Sequence, residues 1–176
     1  MHKLYYSFPE FLSQHFEGKV QKISLDAGFS CPNRDGKLGR GGCSYCNNLS
    51  FNPSYCSTMK SISVQLAEGK EFFAHKYPKM DYLAYFQSYT NTYDKLDKLI
   101  DFYEEALLFP GVKGLVIASR PDCLPEDLLD YLEQLAKRCF LLVELGVEST
   151  LDRTLKEIGR GHDYACSVST IHQLSQ

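Results

Sequence analysis

An α/β fold built on a parallel sheet is the fold class that the 176 residues predict, and three observations carry it. Short, almost continuously apolar runs alternate with longer stretches whose apolar residues recur at helical spacing. Four such strand–helix units follow one another without a linker, a low-complexity segment or an internal repeat. The runs are mostly apolar throughout, which suits strands covered by helices rather than strands with one solvated face.

Val20-Gln-Lys-Ile-Ser-Leu25 mixes apolar and polar side chains and reads as the first strand. Ser61 to Tyr77 carries Ile62, Leu66 and Phe73 at helical spacing and stops before Pro78. Tyr82-Leu-Ala-Tyr-Phe86 is the second strand. Asp94 to Phe109 sets Leu96, Leu99, Ile100, Tyr103 and Leu107 on one helical face and ends at Pro110-Gly111. Gly114-Leu-Val-Ile-Ala118 is a third strand of the buried type. Pro125 suits the first turn of the next helix, which Leu128, Leu129, Leu132 and Leu135 continue. Phe140-Leu-Leu-Val143 is the fourth strand. A short helix over Thr150 to Ile158 closes at Gly159, and a last helix begins near Asp163 with Tyr164, Val168 and Ile171 inward.

Right-handed crossovers turn this order into a doubly wound sheet or part of a barrel. Four strands are too few to close an eight-stranded barrel of about 250 residues. The last helix runs to Gln176 with no strand after it. Residues 1–176 are therefore expected to be the N-terminal part of a single domain that continues in a longer protein.

A chain this long buries roughly 70% of its unfolded surface and folds without disulfides or metals. The net charge of −3 argues against a general electrostatic grip on nucleic acid. Lys19, Lys22, Arg34, Lys37 and Arg40 lie near the cysteines, but Asp26 and Asp35 intersperse them, and they read as solvated loop charge. The first ten residues hold no apolar leader, and no run approaches the ~18 apolar residues of a membrane span. Seven cysteines, an odd number, point to a reducing cytoplasm. Cys56, Cys123, Cys139 and Cys166 are scattered and read as small buried hydrophobes.

Chemistry in parallel sheets sits at the carboxyl ends of the strands. Strand one leads into Asp26, Gly28 and three cysteines; strand two into Gln87, Ser88, Thr90 and Asn91; strand three into Arg120 and Asp122; strand four into Glu144, Gly146, Glu148 and Ser149. Each has a bland reading: Arg120 and Asp122 pair with each other, Ser149 caps a helix, Gln87 and Ser88 shape a turn, and Arg160-Gly161-His162 ends a helix. Delivery to one rim favours a pocket for a polar ligand.

Cys31, Cys43 and Cys46 follow a C-x11-C-x2-C spacing in a loop containing Gly36, Gly39, Gly41 and Gly42. Several readings are open. With Cys56 as a fourth thiolate the site would be closed, structural zinc, although the second short ligand knuckle typical of such sites is missing. Cys43-Ser-Tyr-Cys46 alone suggests thiol redox chemistry. Three thiolates also suit an iron–sulfur cluster with one iron left open. Glycines let a loop wrap closely around so bulky a group.

The stretch from Cys31 to Asn48 resembles the cluster loop of the radical S-adenosylmethionine enzymes. The long first spacing and Tyr45 before the third cysteine resemble the branch related to the elongator catalytic subunit, and within it a bacterial group. The resemblance extends through Leu25 to Gly36, Ala84 to Tyr93, Ser119 to Pro125, Val143 to Gly146 and Gly159 to Asp163. It implies a partial (β/α)6 barrel of which this chain holds about four units. It implies that Cys31, Cys43 and Cys46 ligate a [4Fe-4S] cluster whose open iron takes S-adenosylmethionine. Tyr45 would lie beside the cluster, Gln87 and Ser88 near the methionine moiety, and Arg120, Asp122, Glu144 and Ser149 along the same pocket. One electron, from a donor such as flavodoxin or ferredoxin, would cleave the sulfonium to methionine and a 5'-deoxyadenosyl radical that abstracts hydrogen from a substrate. The family usually has Gln where this chain has Glu148. The kinship points to tRNA as substrate, which the net charge does not support.

Overall fold

The structure, a computed structural model, describes residues 4–47, 52–74 and 80–175. Strand β1 (Val20–Leu25) pairs with β2 (Asp81–Phe86), β2 with β3 (Val112–Ser119) and β3 with β4 (Phe140–Leu145), all in parallel. Spatial order follows chain order without reversal. Right-handed crossovers that always step the same way place every connecting helix on one face of the sheet. A doubly wound sheet needs a reversal, of which the described residues show none, and the α/β, barrel-type expectation holds.

The two faces have separate cores. Ile23, Leu25, Ala84, Phe86, Leu115 and Ile117 turn to α2 (Ile62–Ala74), α3 (Leu96–Leu108) and α4 (Glu126–Ala136), where they meet Ile62, Leu66, Leu99, Tyr103, Leu128, Leu132 and Leu135. Each such side chain stabilises the fold by about 1.5–3 kcal/mol on full burial, so this layer dominates. Leu83, Val116, Phe140 and Leu142, at the other parity of the pleat, turn the opposite way. There they pack on Phe11 and Leu12 of α1 (Phe8–Ser13) and on Phe16. Helix α1 was not expected from periodicity, since six residues are too few to show one. Its start was nonetheless written in the capping pair Ser7 and Glu10: the Glu10 carboxylate accepts from the Ser7 amide at 2.9 Å.

The sheet curls towards α1. Lys22 Nζ of β1 meets Glu144 Oε1 of β4 at 2.9 Å across two intervening strands. The pairing register sets Lys22 level with Phe140, four residues below Glu144. In a flat sheet their Cα atoms would stand roughly 19 Å apart, from about 4.8 Å per strand and about 3.3 Å per residue. A lysine and a glutamate do not span that; a curled, barrel-like sheet brings them together across its concave face. Tyr85 Oη donates to Glu144 Oε2 at 2.7 Å on the same face.

The predicted strands agree with the observed ones to within two residues at each end. The predicted end of α2, before Pro78, lies outside the described residues. Helix α3 stops where Gly111 takes a left-handed φ of +93°. Helix α4 starts just after Pro125, with Glu126 and Asp127 in its first turn complementing the helix dipole. Past β4 lie α5 (Asp152–Glu157) and α6 (Tyr164–Leu174), the latter capped by Asp163, whose carboxylate accepts from the Cys166 amide at 2.8 Å.

The inward face of α6 differs from expectation. Ser167 and Thr170 are buried, whereas Tyr164 and Ile171 are exposed. The reason is the neighbour: α6 packs on a 3-10 turn, Pro121–Cys123, and Thr170 Oγ1 donates to the Pro121 carbonyl at 2.8 Å. Buried carbonyls need donors, so hydroxyls outrank apolar residues here. No helix among the described residues is long and apolar enough to cross a membrane.

Candidate functional site

The cysteine loop is anchored before it begins. Gln65 of α2, fully buried, donates through Nε2 to the Asp26 carbonyl at 2.9 Å and to the Lys60 carbonyl at 3.2 Å. Its Oε1 accepts from the Asp26 amide at 2.9 Å. The Asp26 carboxylate in turn accepts from the Gly28 amide and from Asn52 Nδ2, and Ser88 Oγ donates to Asn52 Oδ1 at 2.7 Å. Gln65→Leu strips this anchor and orphans buried peptide groups at about 1–3 kcal/mol each. Its urea midpoint is expected to fall accordingly; a stability within about 0.5 kcal/mol of wild type, the level of an ordinary surface substitution, would show that Gln65 anchors nothing.

Within the loop, the Cys31 carbonyl accepts from the Arg34 and Asp35 amides at 2.8 and 3.1 Å, and the Asn33 carbonyl from the Gly42 amide at 2.9 Å. These bonds fold the glycine-rich stretch back on itself. Asn33, buried, donates from Nδ2 to the Gly159 carbonyl at 2.7 Å and to Cys43 Sγ at 3.3 Å. The Ser44 amide donates to the Ile158 carbonyl at 2.9 Å. The loop after β1 is thereby tied to the turn after α5.

All three thiols border one cavity of about 350 Å³ at the carboxyl rim of the sheet. Arg34, Tyr45, Tyr89, Arg120, Glu144, Gly146, Glu148 and Arg160 also line it. Among the described residues, no three or more His, Cys, Asp or Glu side chains are grouped as ligands of a single ion. Each cysteine has an arginine instead. Arg120 Nη1 donates to Cys31 Sγ at 3.3 Å, Arg160 Nη1 to Cys43 Sγ at 3.7 Å, and Arg34 Nη2 to the Cys46 carbonyl at 3.1 Å. The Cys46 side chain raises the pKa of the Arg34 guanidinium. Arg34 Nε is buried without a hydrogen-bond partner.

Arg120 and Asp122 do pair, through two bonds of 2.8 and 2.6 Å. Burial works against both charges, yet each raises or lowers the other towards its ionised form, so the Arg120 pKa is raised and the Asp122 pKa held below the usual carboxylate range. The two residues do more than pair with each other, because Arg120 also reaches Cys31. Glu144 is fixed at the cavity floor by Lys22 and Tyr85. Tyr45 stands at the cavity and accepts from Arg160 Nη1 at 3.2 Å, while burial is the main cause that raises its phenol pKa.

Four expected site residues do not line the cavity. Gln87 points to the concave face and accepts from Ser24 Oγ at 2.9 Å. Ser88 is buried and serves the Asn52 anchor. Asp122 sits behind Arg120 and borders a neighbouring pocket. Ser149 Oγ accepts from the Leu151 amide at 3.1 Å ahead of α5. Cys56 lies apart from the three thiols: its Sγ donates to the Ser24 carbonyl at 2.9 Å, and burial pushes its thiol up to about 12. Of the other scattered cysteines, Cys123 is buried, and Cys139 and Cys166 are half-buried. Three of the basic residues near the loop have separate partners. Lys22 faces Glu144, Arg34 faces Cys46, and Lys37 lies over the Tyr93 ring at 5.3 Å.

Arg160 and Arg34 fall within stretches that carry the resemblance, but their own readings are the end of a helix and solvated loop charge, and neither is an expected site residue. The flanking glycines Gly159 and Gly161 were the available signal for Arg160.

Fold and site together define an α/β protein with a thiol- and guanidinium-lined cavity at the carboxyl rim of a curled parallel sheet. Proteins similar to it come from bacteria and an archaeon. It is 38% identical over 172 residues to uncharacterized protein YtqA of Bacillus subtilis, covering 98% of this chain and 53% of that protein. It is 40% identical over 167 residues to protein YhcC of Escherichia coli K12, covering 94% and 53%. It is 31% identical over 171 residues to uncharacterized protein MJ0486 of Methanocaldococcus jannaschii, covering 96% and 52%. The chain thus spans about half the length of the curated relatives it matches. No family model matches it.

Proposed function

We propose that this chain is the cluster-holding part of a radical S-adenosylmethionine enzyme of the reducing cytoplasm. The observation that carries the reading is that Cys31, Cys43 and Cys46, far enough apart in sequence to wrap a bulky group, border one cavity at the carboxyl rim. The donor set fits a [4Fe-4S] cluster: three soft thiols, a glycine-rich loop and, among the described residues, no fourth cysteine in the cavity lining. When bound, that group supplies the electron that cleaves the sulfonium of S-adenosylmethionine.

The chain's own residues bind and orient. Cys31, Cys43 and Cys46 would hold the cluster and leave one position open. Arg120, Glu144, Gly146 and Glu148, from the ends of β3 and β4, offer charged and backbone groups across the same cavity to the polar end of S-adenosylmethionine. Lys22 and Tyr85 hold the Glu144 carboxylate in one orientation. The substrate is carried by the kinship alone, which favours RNA.

Anaerobic reconstitution with iron and sulfide tests the reading. The wild-type chain is expected to take up about four irons and four sulfides, and Cys43→Ala to lose most of that uptake. A colourless wild type, the same uptake by Cys43→Ala, or about one zinc per chain without labile sulfide would each sink it.

A further inference from the structure

The three arginines are built into the thiol site by glycines. A Cβ at Gly146 would stand 2.6 Å from Arg160 Nη2, one at Gly161 2.7 Å from Arg120 Nη2, and one at Gly42 3.0 Å from Arg34 Nε. Each guanidinium therefore approaches a backbone where an added methyl group would press on it. Each is also held from a second side. Arg120 is clamped by Asp122. Arg160 donates to the Gly146 carbonyl at 2.5 Å and from Nε to His162 Nε2 at 3.0 Å. Arg34 lies over the Tyr89 ring at 5.4 Å. Three cations fixed against three cysteines, from three different loops, exceed what folding the loop requires.

We infer that Arg34, Arg120 and Arg160 form a fixed cationic shell that raises the reduction potential of the metal–sulfur group held by Cys31, Cys43 and Cys46. The inference rests on the reading given above. Reduction adds one negative charge to a site already bearing three thiolates. Guanidiniums stay protonated at any working pH, so their charge favours the reduced state throughout. Hydrogen bonds to the sulfurs and local net charge are the protein's levers on such potentials. The couple is a one-electron one: an external reductant, dithionite in the assay, gives up one electron, and no proton or bond in the protein changes. Glu148 and Glu144 are the acidic side chains that line the cavity, and Asp122 meets Arg120 from behind. Asp122 and Glu148 pair with Arg120 and Arg160, while Glu144 pairs with Lys22.

The test is a potentiometric titration, read by electron paramagnetic resonance, of the reconstituted wild type and of Arg34→Gln, Arg120→Gln and Arg160→Gln. Each variant is expected to keep its iron and sulfide and to show about a tenfold smaller reduced-to-oxidised ratio at fixed potential, a shift of about 59 mV for one electron. Arg→Lys should restore part of the shift. Gly146→Ala and Gly161→Ala keep every charge but push Arg160 and Arg120 off their thiols. They should lower the potential in the same direction, and they decide the matter if a glutamine variant does not fold. Wild-type potentials in all these variants overturn the inference and leave the radical reading standing. Folded variants that lose iron and sulfide also overturn it, because the arginines would then serve assembly. A wild type that takes up no iron and sulfide removes the radical reading itself.

Discussion

Gly114→Ala is expected to destabilise the chain by about 3 kcal/mol, the upper end of what overpacking costs. Gly114 is buried in β3 on the concave face and pairs with Phe140 of β4. An added Cβ would fall within the contact shell of the Phe140 carbonyl oxygen, with the carbonyl carbon and the Phe140 Cβ both at 2.8 Å. These are backbone or backbone-adjacent atoms, so no rotamer change relieves the clash. Strand β4 must move instead, and two things move with it. One is the Phe140 ring, which packs on Phe11, His15 and Phe16 under the sheet. The other is Glu144 with the Gly146–Glu148 turn, at the cavity. Urea unfolding reads the loss: with an m-value of about 2 kcal/mol/M, the midpoint should drop by about 1.5 M. A midpoint unchanged within error would mean that β3 and β4 accept a methyl group between them.

Why the strands were readable follows from the same packing. A strand buried on both faces must be apolar at every position, so Leu115, Val116 and Ile117 announced β3 without help from context. The helices were readable where an apolar stripe faces an apolar sheet, as with Leu99, Tyr103 and Ala106 of α3. They were misread where the facing surface is polar. Thr170 and Ser167 of α6 turn inward because the Pro121 carbonyl asks for a donor, and hydrophobicity carries no record of that. The cysteine spacing exposed the thiols, since the three lie within one loop. Arg160 is 117 residues from Cys43, and only the fold brings them together. Gln87 and Ser88 show a further limit. Position at a strand end names the rim, but the direction of each side chain depends on the curl of the sheet, which sends Gln87 to Ser24 and Ser88 to Asn52.

Asp122→Asn should lower stability at neutral pH by about 3 kcal/mol, as breaking a buried ion pair does. The Arg120 side chain is 3% exposed and that of Asp122 17%. Asparagine keeps the shape and one acceptor oxygen but cannot neutralise the guanidinium, which would remain buried without a counter-charge. The pH dependence separates this cause from simple misfit. Burial pushes the Asp122 carboxyl up, but the Arg120 hydrogen bonds and charge outweigh it and leave the folded-state pKa below the ordinary value. The unfolded chain binds its proton near pH 3.9. A carboxyl depressed in the folded state contributes stability that is fully present above the unfolded pKa and lost as pH falls through the folded one. The gap between wild type and Asp122→Asn should therefore be widest from about pH 5 upward and close progressively below about pH 3.9, where the protonated acid and the amide become alike. Thermal or urea unfolding across that range measures it. A gap that persists unchanged at the acid end would assign the loss to shape rather than charge. Replacing both partners by leucine should recover much of the stability, since the desolvation cost of the pair disappears with its attraction. The same double variant would leave Cys31 without its guanidinium, so stability would return while the potential shift expected of Arg120→Gln remained.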